Sequence, residues 1–370
     1  MGWLLAGAAL FVAYANGAND NFKGVATLFG SGTTSYRRAL VWASLTTLAG
    51  SAAAILASGS LVKAFSGKGL VADALTRDVH FLLAVGGGAA LTVLLATATG
   101  IPVSTTHALL GGLMGAGLAA GGSRINPVAL QNGFVLPLLL SPLFAMVLTM
   151  LIYLPCRAAR RILNLEKETC LCVGDRQELV QIQNDGTGVL LSTGLAVSVA
   201  EMSACRTRYP GTVLGVSAQR ILEGLHFFSA GAVSFARGLN DTPKIAALLV
   251  AGRLLGVSGS SLAVAGVMAV GGFLSARRVA ETMGHRITAM NEGQGFSANL
   301  STACLVILAS RWGLPVSTTH VSVGSLFGLG LANRRARFRT ILSILGAWVG
   351  TLPLAGVTSF GLFYLVSRLA

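Results

Sequence analysis

Acidic residues are scarce in this chain: Asp and Glu together number 13 among 370 residues, and all charged residues amount to 11%. A soluble domain carries about a quarter, so composition excludes a water-soluble enzyme. Cysteine is sparse too. Cys156, Cys170, Cys172, Cys205 and Cys304 make no extracellular disulfide framework, and three of them fall in the one polar stretch, which points that stretch to a reducing compartment. The first residues lack the marks of a cleaved leader. Trp3 to Tyr14 has no basic n-region and no small-residue cleavage site, and is read as a retained membrane helix.

What the chain has in quantity is apolar surface. Hydrophobic residues make up 53%, mean hydropathy is +0.72, and the 47 glycines suit close helix packing in lipid, where small residues let backbones approach. The net charge of +14 comes from short Arg clusters between apolar runs, such as Arg157, Arg160 and Arg161, or Arg334, Arg335, Arg337 and Arg339. These read as topology signals of a multi-pass protein of the cytoplasmic (inner) membrane rather than as a nucleic-acid surface. A weak attraction of anions is a secondary effect.

Apolar stretches long enough to cross about 30 Å of hydrocarbon lie near 2–18, 39–60, 79–99, 134–155, 258–276, 294–312 and 341–368. Shorter pieces near 20–30, 103–120, 220–237, 243–252 and 316–332 are interrupted by Gly, Pro, Asn and Asp, and are expected to be broken or re-entrant helices. Two elements recur in the same order. Gly17-Ala-Asn-Asp-Asn-Phe-Lys23 returns as Gly238-Leu-Asn-Asp-Thr-Pro-Lys244, and Gly100-Ile-Pro-Val-Ser-Thr-Thr-His107 returns as Gly313-Leu-Pro-Val-Ser-Thr-Thr-His320. Continued to Leu118 and Leu331, the second pair is identical at twelve of nineteen positions. Paired, interrupted apolar segments of this kind are the mark of a repeat-built transporter with its site between the repeats. The expected organisation is all-α: two transmembrane repeats at 1–155 and 220–370 around a polar, cytoplasmic insert at 156–219.

The insert holds four short strand-like runs, Thr169 to Val173, Leu179 to Gln183, Val189 to Ser192 and Leu195 to Val199, with a turn at Asn184-Asp-Gly186. A small β-rich soluble domain is expected there. Cys170, Cys172 and Cys205 are read as buried or incidental thiols in preference to a metal site.

In Pro102-Val-Ser-Thr-Thr-His107 the proline precedes a Gly-rich helix, whose first amides lack intrahelical partners and whose dipole is positive at that end. Such a terminus suits an anion. Ser104, Thr105 and Thr106 add neutral donors, and Ser317, Thr318 and Thr319 supply a second tip, so that two facing tips surround a tetrahedral oxyanion. The alternative is that these hydroxyls only cap their helices. His107 and His320, one turn further on, are read as packed, hydrogen-bonding histidines before proton sites.

Asp20 and Asp241 lie in apolar surroundings, where a carboxylate is costly and functional by default; the alternative is a helix cap. Asn19 and Asn240 are suitable oxygen ligands for a hard cation, so sodium is one candidate at Asn19, Asp20, Asn240 and Asp241. Lys23 and Lys244 follow each Asp by three residues. They either pair with it, taking the place of a metal cation and leaving proton coupling open, or snorkel to the interface. Glu292, Gln294 and Asn299 belong to a helix leading to the second tip, and are assigned either to gating or cation binding or to a plain helix start.

With both elements duplicated, the chain resembles the PiT family of inorganic phosphate transporters, whose hallmark is this pair of motifs. The resemblance covers both halves and leaves the insert outside. It implies an inverted-repeat helical transporter, inward transport of inorganic phosphate by symport with sodium or protons, phosphate at Ser104, Thr105, Thr106, Ser317, Thr318 and Thr319, cation coupling at Asn19, Asp20, Asn240 and Asp241, no cofactor, and a homo-oligomer, dimer or trimer; a site between repeats is read as working by alternating access. Sodium-coupled members continue the first motif as Val-Ala-Asn-Ala where this chain has Asn21-Phe-Lys-Gly24, and Leu239 replaces the usual alanine. A sulfate permease is the alternative within the family. A membrane enzyme using Ser104 and His107, or a passive anion channel, is a rival outside it; duplication speaks against the enzyme, because one reaction needs one nucleophile.

Overall fold

The computed structural model describes residues 1–57, 59–121, 125–164, 169–182, 188–201 and 214–369. Two compact units are present, one made of 1–153 with 228–370 and the other of 154–227.

The first unit is helical. In chain order its helices begin with α1 (Gly2–Asp20), α2 (Ala26–Gly30), α3 (Tyr36–Ala57), α4 (Gly59–Phe65) and α5 (Val79–Thr99). There follow α6 (Thr105–Ala119), α7 (Pro127–Leu130) and α8 (Leu136–Ile162). After the strands of the second unit come α9 (Ala218–Ala251), α10 (Val257–Ser275), α11 (Arg277–Glu281), α12 (Glu292–Arg311), α13 (Thr318–Ala332) and α14 (Phe338–Leu369).

Five spans among the described residues are long and apolar enough to cross a membrane: Tyr36–Leu56, Val79–Thr99, Pro127–Ile162, Val257–Ser275 and Phe338–Arg368. The expected spans at 2–18 and 294–312 are helices, α1 and α12, but are not among these five. Asn16 and Asn19 in α1, and Gln294, Asn299 and several Ser and Thr in α12, lower their hydropathy, and these residues are buried inside the protein. The pieces expected at 220–237 and 243–252 are one continuous helix, α9, which runs through Pro243. A proline lacks only one amide donor, and dense packing keeps the helix whole. Phe22, aligned with Pro243, has the opposite outcome. α1 stops at Asp20 and a 3₁₀ turn follows at Lys23–Val25, while the Phe22 ring stacks on Tyr36 at 4.9 Å and meets Phe29 edge-on at 5.6 Å.

α5 and its counterpart α12 end in the same way. Gly100 and Gly313 take φ of 73° and 68°, conformations that side-chain-bearing residues avoid. Ile101 N–H then reaches back to Ala96 O and Leu314 N–H to Ala309 O, closing each helix. The chain turns through Pro102 or Pro315 into the next helix. Ser104 caps α6 by accepting from His107 N–H, and Ser317 caps α13 by accepting from His320 N–H.

Close backbone approaches lock these helices together. Gly17 on α1 lies against the Met268 backbone of α10, and Gly271 against Tyr14. Gly238 on α9 lies against Thr47 of α3, and Gly50 against Phe235. The second pair of contacts follows from the first by the sequence shift that carries Asp20 onto Asp241. Likewise Gly111 and Gly115 of α6 press on Leu352 and Gly356 of α14, while Gly324 and Gly328 of α13 press on Pro142 and Met146 of α8.

In the second unit the described strands are β1 (Thr169–Ile182), β2 (Gly188–Glu201) and β3 (Leu214–Ser217), an antiparallel sheet in the order β2-β1-β3. The four short runs expected there are instead two strands of 14 residues each, Thr169 opposite Glu201 and Ile182 opposite Gly188. Register shifts after Asp175 and Leu179 absorb residues that break strict alternation, which is why the sequence suggested interruptions. Asn184-Asp-Gly186 and Cys205 lie outside the described residues. Cys170 is buried, and no cluster of three metal-ligating residues occurs among the described residues.

At Gly17 or Gly238 a Cβ falls on the facing backbone carbonyl. Gly17→Ala and Gly238→Ala are each expected to lower stability by roughly 1–3 kcal/mol, read as the thermal midpoint in detergent. Gly266→Ala and Gly346→Ala, where a Cβ meets nothing within 4 Å, are expected to be neutral or to gain up to about 1 kcal/mol.

Candidate functional site

The two helix starts meet. Thr319 Oγ1 at the tip of α13 donates to Val103 O, just before α6, at 2.8 Å. Behind them the His107 and His320 rings meet edge to face at 4.5 Å, and the Trp348 indole lies on His320 at 3.8 Å while donating from Nε1 to Pro102 O at 3.2 Å. Each histidine spends Nδ1–H on a carbonyl, His107 on Trp348 O and His320 on Leu138 O. Both are packed. His107 offers no ring hydrogen bond to Ser104, whose Oγ accepts the His107 backbone amide instead. The nucleophile-and-base arrangement of the enzyme alternative is absent.

Besides His320, five acidic and basic side chains lie buried around the tips: Asp20, Lys23, Arg237, Asp241 and Lys244. Asp20 closes α1 and Asp241 lies inside α9, so neither caps a helix start. Each carboxylate divides its oxygens the same way. Oδ1 of Asp20 accepts from Lys23 and its Oδ2 from Thr105 Oγ1 at 3.3 Å; Oδ1 of Asp241 accepts from Lys244 at 3.4 Å and its Oδ2 from Thr318 Oγ1 at 3.2 Å. The lysines do not snorkel. Lys23 Nζ also donates to Asn19 Oδ1 and Val103 O, both at 2.9 Å, and across to Thr319 Oγ1 at 2.6 Å. Lys244 Nζ donates to Val316 O at 2.6 Å and across to Thr106 Oγ1 at 2.9 Å. Each ammonium therefore ties the two tips to each other.

Asn19 and Asn240 brace the loops that carry the tips. Asn19 Nδ2 donates to Thr97 Oγ1 and Ile101 O, and its Oδ1 accepts Val103 N–H. Asn240 Nδ2 donates to Val316 O and to Asp241 Oδ1, while its Oδ1 accepts from Ser310. Asn299 bonds Thr27 and Ser229, and Gln294, which forms a capping box with Asn291, also donates from Nε2 to the Tyr153 hydroxyl. Glu292 stands in the first turn of α12, and no hydrogen bond or ion pair among the described residues joins it to Asp20, Asp241 or the threonines.

Sequence reasoning missed Asn16 and Arg237. Asn16 Nδ2 reaches Asp20 Oδ2 at 2.9 Å and Thr105 Oγ1 at 3.0 Å. The Arg237 guanidinium donates to Asn16 Oδ1 at 2.6 Å, Asn21 Oδ1 at 2.9 Å and Thr47 Oγ1 at 3.4 Å, with Nε 3.8 Å from Asp241 Oδ2. The signal was available. Extending the first duplicated motif by one residue aligns Asn16 with Arg237, a charged residue inside an apolar segment.

A model of the phosphate transporter family matches residues 16–359. A protein of Pyrococcus abyssi named "Putative phosphate permease" is 28% identical, over 96% of this chain and 95% of its own length. A namesake in Haemophilus influenzae is 26% identical over 98% and 96%. Among solved structures, "The sodium-dependent phosphate transporter" shares the fold with a TM-score of 0.76 at 20% identity, covering 100% of this chain and 99% of that one. The sulfate alternative finds no support in them. The chain belongs to the phosphate transporter family, and is a multi-pass membrane transporter and not an enzyme.

Proposed function

We propose that the protein imports inorganic phosphate across the cytoplasmic membrane by cation symport, holding the anion between the two helix starts and exposing it to each side in turn. The observation that carries this reading is the meeting of the two tips. The first intrahelical bonds run from Ala108 N–H to Ser104 O and from Val321 N–H to Ser317 O, and the serine hydroxyls take His107 and His320 N–H. The amides of Thr105, Thr106, Thr318 and Thr319 precede these bonds, at the positive ends of two helix dipoles. Ser104 and Ser317 accept one amide each and keep their own proton for donation. Capping and anion binding are compatible.

Charge supports the same reading. Lys23, Lys244 and Arg237 outnumber Asp20 and Asp241 by one in a buried cluster, an excess that a monoanion would cancel. The glycine contacts repeated under one sequence shift support two copies, 1–155 and 220–370, related by an approximate two-fold axis in the membrane plane, with 156–219 as a cytoplasmic insert. One copy rocking against the other around a fixed site is the mode such repeats allow.

The purified protein in proteoliposomes is expected to accumulate labelled phosphate against its gradient under an imposed cation gradient, with unlabelled phosphate competing and sulfate not; equilibration without accumulation would indicate a channel. Asp20→Asn and Asp241→Asn are each expected to abolish accumulation, and near-normal uptake in either removes that carboxylate from the coupling role. Ser104→Ala combined with Ser317→Ala is expected to weaken apparent phosphate affinity roughly tenfold or more, from the loss of two hydrogen bonds of about 1 kcal/mol each, with membrane insertion intact. An unchanged affinity contradicts the serines' part.

A further inference from the structure

The structural relative is named for sodium, and Asn19, Asp20, Asn240 and Asp241 are the residues such an ion would draw on here. In the first copy an amide oxygen, a carboxylate oxygen, a backbone carbonyl and a hydroxyl, from Asn19, Asp20, Val103 and Thr319, converge on one point. An all-oxygen shell of this type suits a hard cation. Its centre is already taken by the Lys23 ammonium, whose three protons face four acceptors. The second copy repeats the arrangement with Asp241, Val316 and Thr106 around Lys244 Nζ, which also lies 5.6 Å from the Phe65 ring centroid. A sodium ion added beside either ammonium would meet a like charge at close range in a buried setting, where repulsion is poorly screened. The residues present do not fit one.

We infer that Lys23 and Lys244 are tethered cations standing in both positions where a dissociable metal cation would bind, so that phosphate transport by this chain requires no sodium. The inference rests on the phosphate reading of the same site. A bound sodium arrives and leaves with the cargo, whereas a lysine nitrogen stays with its helix. Its charge is a fixed part of the protein, and the bridges from Lys23 to Thr319 and from Lys244 to Thr106 are covalently anchored at one end.

The test uses the full chain in proteoliposomes under an imposed proton gradient, with sodium replaced throughout by N-methylglucamine. Initial rates of labelled phosphate uptake are expected to agree within twofold with and without sodium. A fall of tenfold or more without sodium overturns the inference while leaving phosphate transport standing; no phosphate uptake under any cation gradient instead overturns the phosphate reading. Binding is measured separately from transport. The wild-type protein in detergent is expected to show no saturable binding of radiolabelled sodium, and saturable binding overturns the inference whether or not any variant folds. Lys23→Ser vacates the four-oxygen shell, and this variant is expected to gain a saturable, sodium-specific rise in thermal midpoint that N-methylglucamine does not produce. A folded Lys23→Ser protein indifferent to sodium shows that the ammonium does not occupy a cation position.

Discussion

Everything near the middle of this protein is arranged to keep five buried charges partnered. Taking a charged group out of water costs several kcal/mol even after relaxation, and this is recovered only where geometry is good and the remaining donors and acceptors are satisfied. Two lysines, one arginine and two aspartates come close to that condition because α1, α6, α9 and α13 converge on the same few ångströms; Arg237 Nε, 3.8 Å from Asp241 Oδ2, is the donor left without a hydrogen bond. The extended segments before α6 and α13 are part of the solution. They leave Val103 O and Val316 O outside any helical ladder, and these carbonyls are the ones the lysines use. Broken backbone in an apolar interior is tolerated where other groups complete its hydrogen bonding.

Glycine makes that convergence possible. Where Gly17 meets Met268 and Gly238 meets Thr47, two helices approach with nothing between their backbones, and the polar residues one turn away are brought within reach of the opposite half. The helix that carries each Asn-Asp element is fastened to a long helix distant in sequence, α1 to α10 and α9 to α3.

Much of this was legible from the residues. Duplication of the Ser-Thr-Thr element marked two places where the chain leaves regular helix, the first Asn-Asp element marked a third, and the placing of Asp20 and Asp241 in apolar sequence announced partners for them. What could not be read was how competing local preferences resolve. Pro243 reads as a helix end, yet α9 continues through it, because tertiary packing outweighs one missing amide. Phe22, with no such reputation, marks the break because an aromatic cluster with Phe29 and Tyr36 captures it. Arg237 escaped notice because its copy-one counterpart is Asn16, and a repeat search keyed to identity passes over positions where the two copies divide one hydrogen bond between unlike residues. Asn19 and Asn240 read as oxygen ligands by residue type, and residue type does not announce that their amide nitrogens also hold neighbouring loops. In the strands of the second unit, irregular alternation was mistaken for interruption, since a register shift and a turn both disturb the two-residue period.

The unlike fates of Phe22 and Pro243 set the footing of the two lysines. α1 gives way to a 3₁₀ turn that carries Lys23, whereas α9 runs unbroken past Asp241 and carries Lys244 within continuous helix. Matching ammonium groups are thus presented by backbones of unlike regularity, and a substitution at one is not a mirror of the same substitution at the other.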